Sequence, residues 1–512
     1  MHQALQIVDI LHLVFQQLAS DEDTPWNVLK VNQRALSRAS RVCKIFESPA
    51  LDALWAYMED IRNLLRLLPP LKNSRQWTYY LAGETCDRYW ARFQTYARRI
   101  HRILGPFDWI SSDTYSQLSQ RNGNMPLLPN VEAILGDSLE YDILSIIGNR
   151  LHELHYCVSV RDEEPDPSDW VTLNECFRVL AETSPAVEFI YTQNIPLSCL
   201  QVPFEHWHAL RRVDLCEACG RLDGAVLRAL SCLDNLEDLA LHDCNITTAE
   251  NHPPCRFAAL TKLDLSDSPA RLRGLFVAIE TPVLKDISLC FSVEDDDPNL
   301  VRDCCRCLDT MVAKCSSSLW KLRIVVWLPH IHAIVPCIDL LPPLFGLRNI
   351  RRLSVALQDR MSSNHLEPED VQRMARAWPH IRFLSLDYDL EASMLHSLPV
   401  DALVPFARYC PDLRILKLPV VTSNVPMDLE DYPTFSHKLR VLRTLFSNPQ
   451  GPARPLALFL DRLFPCLKTS RCRLMINDDD DWDNSLWHDL VVQLRAIQAA
   501  KRRASRNDSA SA

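Results

Sequence analysis

The chain has 512 residues, 47% hydrophobic and 23% charged, with a formal net charge of −10. That is an ordinary globular mix, long enough for about three domains or one repeat array. The acidic balance argues against nucleic acid as a general partner, because phosphate binding needs clustered Lys and Arg. No apolar run approaches the ~18 residues of a membrane span, and the N-terminus has no basic leader region and carries Asp9 early. No membrane association is expected. The 19 Cys are expected as reduced, buried small hydrophobes of a cytoplasmic or nuclear protein. With 10 Gly against 33 Pro, the chain has no glycine-rich phosphate loop and no G-x-S-x-G. No nucleophile–base set is visible, so neither an enzyme nor a cofactor is expected.

Three apolar segments open the chain. In residues 7–18, Ile7, Leu11, Val14, Phe15 and Leu18 recur at helical spacing, and Ile10 widens the stripe. Residues 34–46 carry Leu36, Ala39, Val42, Cys43 and Phe46. Residues 49–58 form a third helix, with Ser48 as its N-cap and Pro49 as its first residue. Between the first two segments, residues 19–33 are expected as an acidic loop. So few residues cannot bury a core of their own. Their apolar faces need the rest of the chain or another protein.

Ile10-Leu11, Val14-Phe15 and Leu18, then Val42-Cys43-Lys44-Ile45-Phe46, then Ala50-Leu51-Asp52 with Leu54-Trp55, resemble an F-box of the type abundant in mushroom-forming fungi. The family's Leu-Pro before the first helix is Gln6-Ile7 here, and its Trp after Val-Cys-Lys-x is Phe46. The resemblance implies docking on the adaptor subunit of an SCF-type ubiquitin ligase, and through it on a cullin. It assigns Ile10, Leu11, Val14, Phe15, Val42, Cys43, Lys44 and Phe46 to that contact. Leu54 and Trp55 would help close the small fold.

Residues 61–71 continue apolar and stop at Pro69-Pro70. Residues 85–104 show a helical stripe of Trp90, Phe93, Ala97, Ile100 and Leu104, with arginines on the other face; residues 111–123 are polar and expected as a loop. From about residue 131 the frame apolar-x-x-apolar-x-apolar recurs at 23 to 36 residues. Copies are Leu151–Tyr156, Leu210–Leu215, Leu236–Leu241, Leu260–Leu265, Leu284–Leu289, Leu319–Ile324, Ile350–Val355, Ile381–Leu386 and Leu413–Leu418. Val187–Thr192 and Leu439–Leu445 are weaker copies. The alternating end of each predicts a short strand with one face buried, and helical pieces such as 223–233, 301–314, 369–378 and 400–409 cover the outside. Prolines such as Pro282, Pro379 and Pro411 stop a helix before the next strand. These units resemble irregular leucine-rich repeats.

The expected fold class is α/β: a three-helix F-box (1–60) and helical linker (61–130), a leucine-rich-repeat solenoid (131–475), and a capping helix with a disordered tail (476–512). In the tail, Lys501-Arg502-Arg503-Ala504-Ser505-Arg506 suggests a nuclear signal, a phosphosite or charge complementing a helix dipole. Cys216/Cys219 and Cys304/Cys307 are too far apart to pair as a zinc finger, His330/His332 lack a third ligand, and no metal is expected. Acidic runs 294–297 and 478–481 are expected as solvated loops.

The functional expectation is a substrate-recognition subunit of an SCF-type ligase that binds a target protein of unknown identity. The alternative is a leucine-rich-repeat scaffold with no ligase association. The target is expected along the outward strand positions Arg212, Asp214, Asp238, Lys262, Asp264, Asp286, Lys321, Arg323, Arg352, Phe383 and Lys417. Acidic members dominate early in that row and basic ones late.

Overall fold

The computed structural model describes residues 6–19, 26–68, 71–73, 78–83, 85–105, 110–136, 147–158, 167–217, 222, 224–247, 254–292, 299–327, 337–358, 366–388, 397–425, 432–446, 453–468 and 485–510. The chain divides into two compact units, Met1–Cys244 and Asn245–Ala512. Cys219, His330, His332 and the acidic runs 294–297 and 478–481 lie outside the described residues.

The first unit opens with helices Val8–Gln16, Trp26–Ala39 and Lys44–Trp55. Two boundaries differ from expectation. Most of the expected loop 19–33 that is described is the start of the second helix. Its wide polar face hides a sparse inward stripe of Leu29 and Leu36. The third helix begins five residues early: the Cys43 carbonyl accepts the N–H groups of Phe46 and Glu47. Ser48 is therefore not its N-cap. Pro49 sits inside the helix, where its missing N–H forfeits one hydrogen bond.

After the third helix the chain enters a parallel sheet. Its strands are Tyr57–Met58, Arg102–Leu104, Ala133–Gly136, Glu153–Cys157, Phe189–Gln193, Arg212–Cys216 and Asp238–His242, each paired with the next in chain order. Met58, Ile103, Ile134, Leu154, Ile190, Val213 and Leu239 stand in one register and are all buried. The sheet thus begins before the expected solenoid. The linker also departs from all-helical. Its helix Asp87–Ala97 ends before the strand Arg102–Leu104, and Leu71–Asn73 pairs antiparallel with Tyr79–Leu81. Conversely, the expected loop 111–123 contains the helix Ser112–Arg121, which buries Thr114, Tyr115 and Leu118.

The second unit repeats the plan. Its parallel strands are Lys262–Asp267, Asp286–Ser292, Lys321–Trp327, Arg352–Gln358, Phe383–Tyr388, Ile415–Val421 and Val441–Phe446. Leu263, Ile287, Leu322, Leu353, Leu384, Leu416 and Leu442 form its buried row. The register slips between Lys417 and Val420, where Pro419 removes a donor from the ladder. Between strands lie Leu300–Cys315, the 3-10 turn Val400–Leu403 with helix Val404–Tyr409, and Pro368–Ala377, whose Glu367 and Asp370 form a capping box. Parallel neighbours in chain order, one strand per sequence frame and helical returns make this a leucine-rich-repeat stack.

Cys304, Cys307, Cys315 and Cys410 fill buried positions, and burial pushes the Cys307 and Cys410 thiols up to about 12. Cys307 and Cys410 stay protonated, and all four act as small hydrophobes. The helix Ser485–Ala510 packs on Ala453–Leu463, buries Leu490 and Leu494, and continues through the basic stretch expected to be disordered.

One buried titratable group gives a pH prediction. His437 Nε2 donates to the Cys410 carbonyl at 2.7 Å, and its Nδ1 accepts the Leu439 N–H at 3.0 Å. That pattern fixes a neutral ring. Burial lowers its pKa, against the opposing Cys410 carbonyl. The unfolded chain therefore takes up this proton first as pH falls. The stability held by the neutral ring is complete above the unfolded value of ~6.5 and is lost below it. The thermal midpoint of the wild type is expected to exceed that of His437→Gln at pH 7.5. The gap should narrow towards pH 5; a gap that widens on acidification would contradict the assignment.

Candidate functional site

Two surfaces carry the expected contact residues. The first is the three-helix head. Leu11 and Phe15 point inward with Leu36, Ala50 and Ala53, and Leu18, Ala39, Phe46 and Leu54 pack against them. Phe15 meets Phe46 edge-on at 5.6 Å. Of the eight residues assigned to the adaptor contact, Leu11 and Phe15 are thus core, while Ile10, Cys43 and Phe46 are half-buried. Val14, Val42 and Lys44 are exposed, Val14 at 47% and Val42 at 63%. Exposed beside them in the chain are Ile7, Val8, Leu13, Val28, Val31 and Ile45, with Leu13 at 64%. A helix apolar all round is normally one that is buried. Val8–Gln16 satisfies that on one side only.

The head is held to its own unit by polar contacts. Arg99 pairs with Asp52, and its Nη1 donates to the Ser48 carbonyl at 3.2 Å. Lys30 Nζ reaches Glu59 at 3.1 Å, and Gln33 donates to the same carboxylate at 2.6 Å. Trp55 lies 4.6 Å from the Tyr96 ring. The head is fixed to the first coils rather than tethered by a linker.

The second surface is the outward face of the strands. Register places the expected target residues in rows. Lys262, Asp286, Lys321, Arg352 and Phe383 follow one another on neighbouring strands, and Asp264, Arg323 and Lys417 belong to a second row two residues on. In the first unit Arg212 and Asp238 are adjacent, with Asp214 in the other row. Several acidic members are compensated locally. Lys321 Nζ lies 2.7 Å from Asp286, and Arg212 reaches Asp214 at 3.5 Å and Asp238 at 3.8 Å. Phe383 is half-buried between Arg352, 5.0 Å above its ring, and Lys417 at 6.0 Å. Arg323 and Arg352 are exposed.

Register also assembles a cluster that spacing concealed. The donor atoms of Asp214, Cys216 and His242 lie within 4.8 Å of one another. Cys216 Sγ is 3.5 Å from Asp214 Oδ1 and 3.4 Å from His242 Nδ1. Burial, then the Cys216 and Cys157 thiols, raise the pKa of the neighbouring Tyr191 phenol. Among the described residues this is where a thiophilic cation would find three ligands. The carboxylate is already held by Arg212 and the thiol, so the cluster also stands complete as a hydrogen-bonded network. No helix among the described residues is long and apolar enough to cross a membrane.

No family model matches this chain, and no curated protein matches it. Among solved structures it is similar to a structural-genomics target from Bacteroides fragilis at 14% identity and TM-score 0.29, over 59% of this chain and 73% of that one. It is similar to the yeast Rad7 and Elc1 complex at 13% identity and TM-score 0.29, over 76% of this chain and 92% of that one. Similarity to the Drosophila Toll–Spatzle complex stands at 13% identity and TM-score 0.34, over 84% of this chain and 64% of that one.

Proposed function

We propose that this chain is a substrate-recognition subunit of an SCF-type ubiquitin ligase. Its F-box-like head docks the adaptor that joins it to a cullin, and its repeats hold a target protein. The observation that carries this reading is the apolar exposure of the head. Eight of the eighteen exposed large hydrophobics among the described residues fall between Ile7 and Ile45. Outside an interface such a concentration is costly. It coincides with the segment that resembles an F-box, and Val14 and Val42 belong to both sets.

In this reading Leu11, Phe15 and Phe46 set the shape of the head, while Val14 and Val42 with Leu13 and Ile45 meet the adaptor. The chain needs no active site. Holding a target beside the transfer machinery makes the reaction effectively intramolecular.

Full-length tagged protein, purified from cells under proteasome inhibition, is expected to recover adaptor and cullin. Leu13→Asp with Val14→Asp places charges in a desolvated contact and should reduce recovery at least about tenfold. Both residues are exposed, so the thermal midpoint should move little. Leu11→Asp should instead unfold the head. A wild-type chain that recovers no adaptor would leave the scaffold reading standing.

A further inference from the structure

One backbone position recurs along the long parallel runs of strands, directly after the first apolar residue of the frame. Its N–H bonds to the carbonyl of the same position in the preceding coil. In the second unit this ladder runs Lys285 to Thr261, Trp320 to Lys285, Arg351 to Trp320 and Arg382 to Arg351, then Arg414 to Arg382, Arg440 to Arg414 and Lys468 to Arg440, at 2.8–3.1 Å. Coils repeat at about 4.8 Å, so the row from Lys285 to Lys468 is roughly 29 Å long. Every residue in it from Lys285 onward is basic except Trp320, and all are exposed. Among the described residues, none of these six cations has an ion-pair or side-chain hydrogen-bond partner.

The first unit shows that the fold does not require this. There the same position holds His101, Glu132, His152, Glu188, Arg211 and Glu237. Acid and base pair along it: His101 with Glu132 at 3.1 Å, and Arg211 with Glu188 at 3.9 Å. An unpaired cationic rim broken only by Trp320, in a chain of net charge −10, is a local departure from the chain's own balance. Beside it lies a groove of about 750 Å³, lined by Lys285, Trp320, Arg351 and Arg382 together with Ser317, Ser318, Asn349, His380 and Asp412.

We propose that this rim is a binding site for an extended acidic peptide segment of a partner protein. An extended chain covers 29 Å with about nine residues. Its carboxylates meet guanidinium groups suited to bidentate pairing, and Trp320 offers an apolar surface. The groove decides between polyanions. Ser317, Ser318, Asn349 and Asp412 supply acceptors for peptide N–H groups. A phosphodiester backbone brings no such donors. The inference is independent of what the head docks on.

Fluorescence anisotropy on the full-length protein tests it with three labelled probes. These are an alternating Glu-Ser peptide of about twelve residues, its Lys-Ser counterpart, and a thymidine oligonucleotide of similar length. The acidic peptide should bind at least about tenfold more tightly than the other two, and its affinity should fall with salt. Arg351→Glu, Arg382→Glu and Arg414→Glu together should abolish binding; the milder Gln variants should weaken it if the triple reversal perturbs folding. The equal charge change Arg302→Glu, Arg306→Glu and Arg454→Glu, on helices, should leave it within about twofold. The proposal is overturned if the acidic peptide binds no better than the basic one, or if rim and helix variants behave alike. Tighter binding of the oligonucleotide would assign the rim to nucleic acid instead.

Discussion

Leu263→Asp is expected to unfold the second unit at denaturant concentrations that leave the wild type folded. Leu263 is fully buried and in register with Ile287 on the next strand, in a row that is apolar from end to end. A carboxylate there has no cation within the row, and exposing it means breaking the ladder on both sides. An unpaired buried charge costs several kcal/mol, on the order of 5. Total domain stabilities are about 5–15 kcal/mol. Leu263→Ala, which leaves a cavity without a charge, should cost about 2–5 kcal/mol. Arg323→Asp, at an exposed outward position, should stay within about 0.5 kcal/mol of wild type. Urea unfolding followed by circular dichroism ranks the three. A wild-type midpoint for Leu263→Asp would mean that the row does not face inward.

Trp207 and Trp378 give the second large effect, once in each unit. Both are fully buried. Each indole Nε1–H donates to a carbonyl, Trp207 to Ser184 at 3.2 Å and Trp378 to Leu344 at 3.1 Å. Trp→Ala should cost about 3–5 kcal/mol from lost packing and the cavity left behind. Trp207→Phe keeps most of the apolar volume but takes the indole donor from the Ser184 carbonyl, which costs about 1–3 kcal/mol; Trp378→Phe should cost less, because the Leu344 carbonyl still accepts the Leu347 N–H at 3.0 Å. The expected order in denaturant midpoint is wild type, Phe variant, Ala variant, at both positions. A neutral Trp378→Ala would contradict the packing described.

The repeat stack was legible because its signal is local. Apolar-x-x-apolar-x-apolar places two inward side chains on one strand and one at the turn before it, and every copy became a strand in register. The earliest strands were not legible because their frames are cut short. After Ile103 and Ile134 the last apolar position holds Gly105 and Gly136, and after Met58 it holds Asp60. In the head, Ser48-Pro49 imitates a helix start, yet the Cys43 carbonyl captures the first N–H groups earlier. Sequence also could not divide the apolar residues of Val8–Gln16 into core and surface. Leu11 and Leu13 are chemically alike and differ only in which side of the helix finds Ala50. The Asp214–Cys216–His242 cluster was invisible for another reason. His242 lies 26 residues from Cys216 and meets it only through strand register. The cationic rim is legible once the register is known, as Leu284-Lys285, Ile350-Arg351, Ile381-Arg382, Leu413-Arg414, Leu439-Arg440 and Leu467-Lys468.

A stack of like coils has no intrinsic stopping point. The helix Ala453–Leu463 presents an apolar face of buried Leu456 and Leu460. A bare face of that kind would be open to a second copy of the chain. Head-to-tail addition of that sort gives rings where the rotation per copy closes and filaments where it does not. The final helix covers that face. It lies across Ala453–Leu463, Gln498 Nε2 donates to the Leu467 carbonyl at 3.0 Å, and Lys501 clasps the buried Asp461. The C-terminal helix thus shields an apolar face that would otherwise invite self-association, far in sequence from the apolar head.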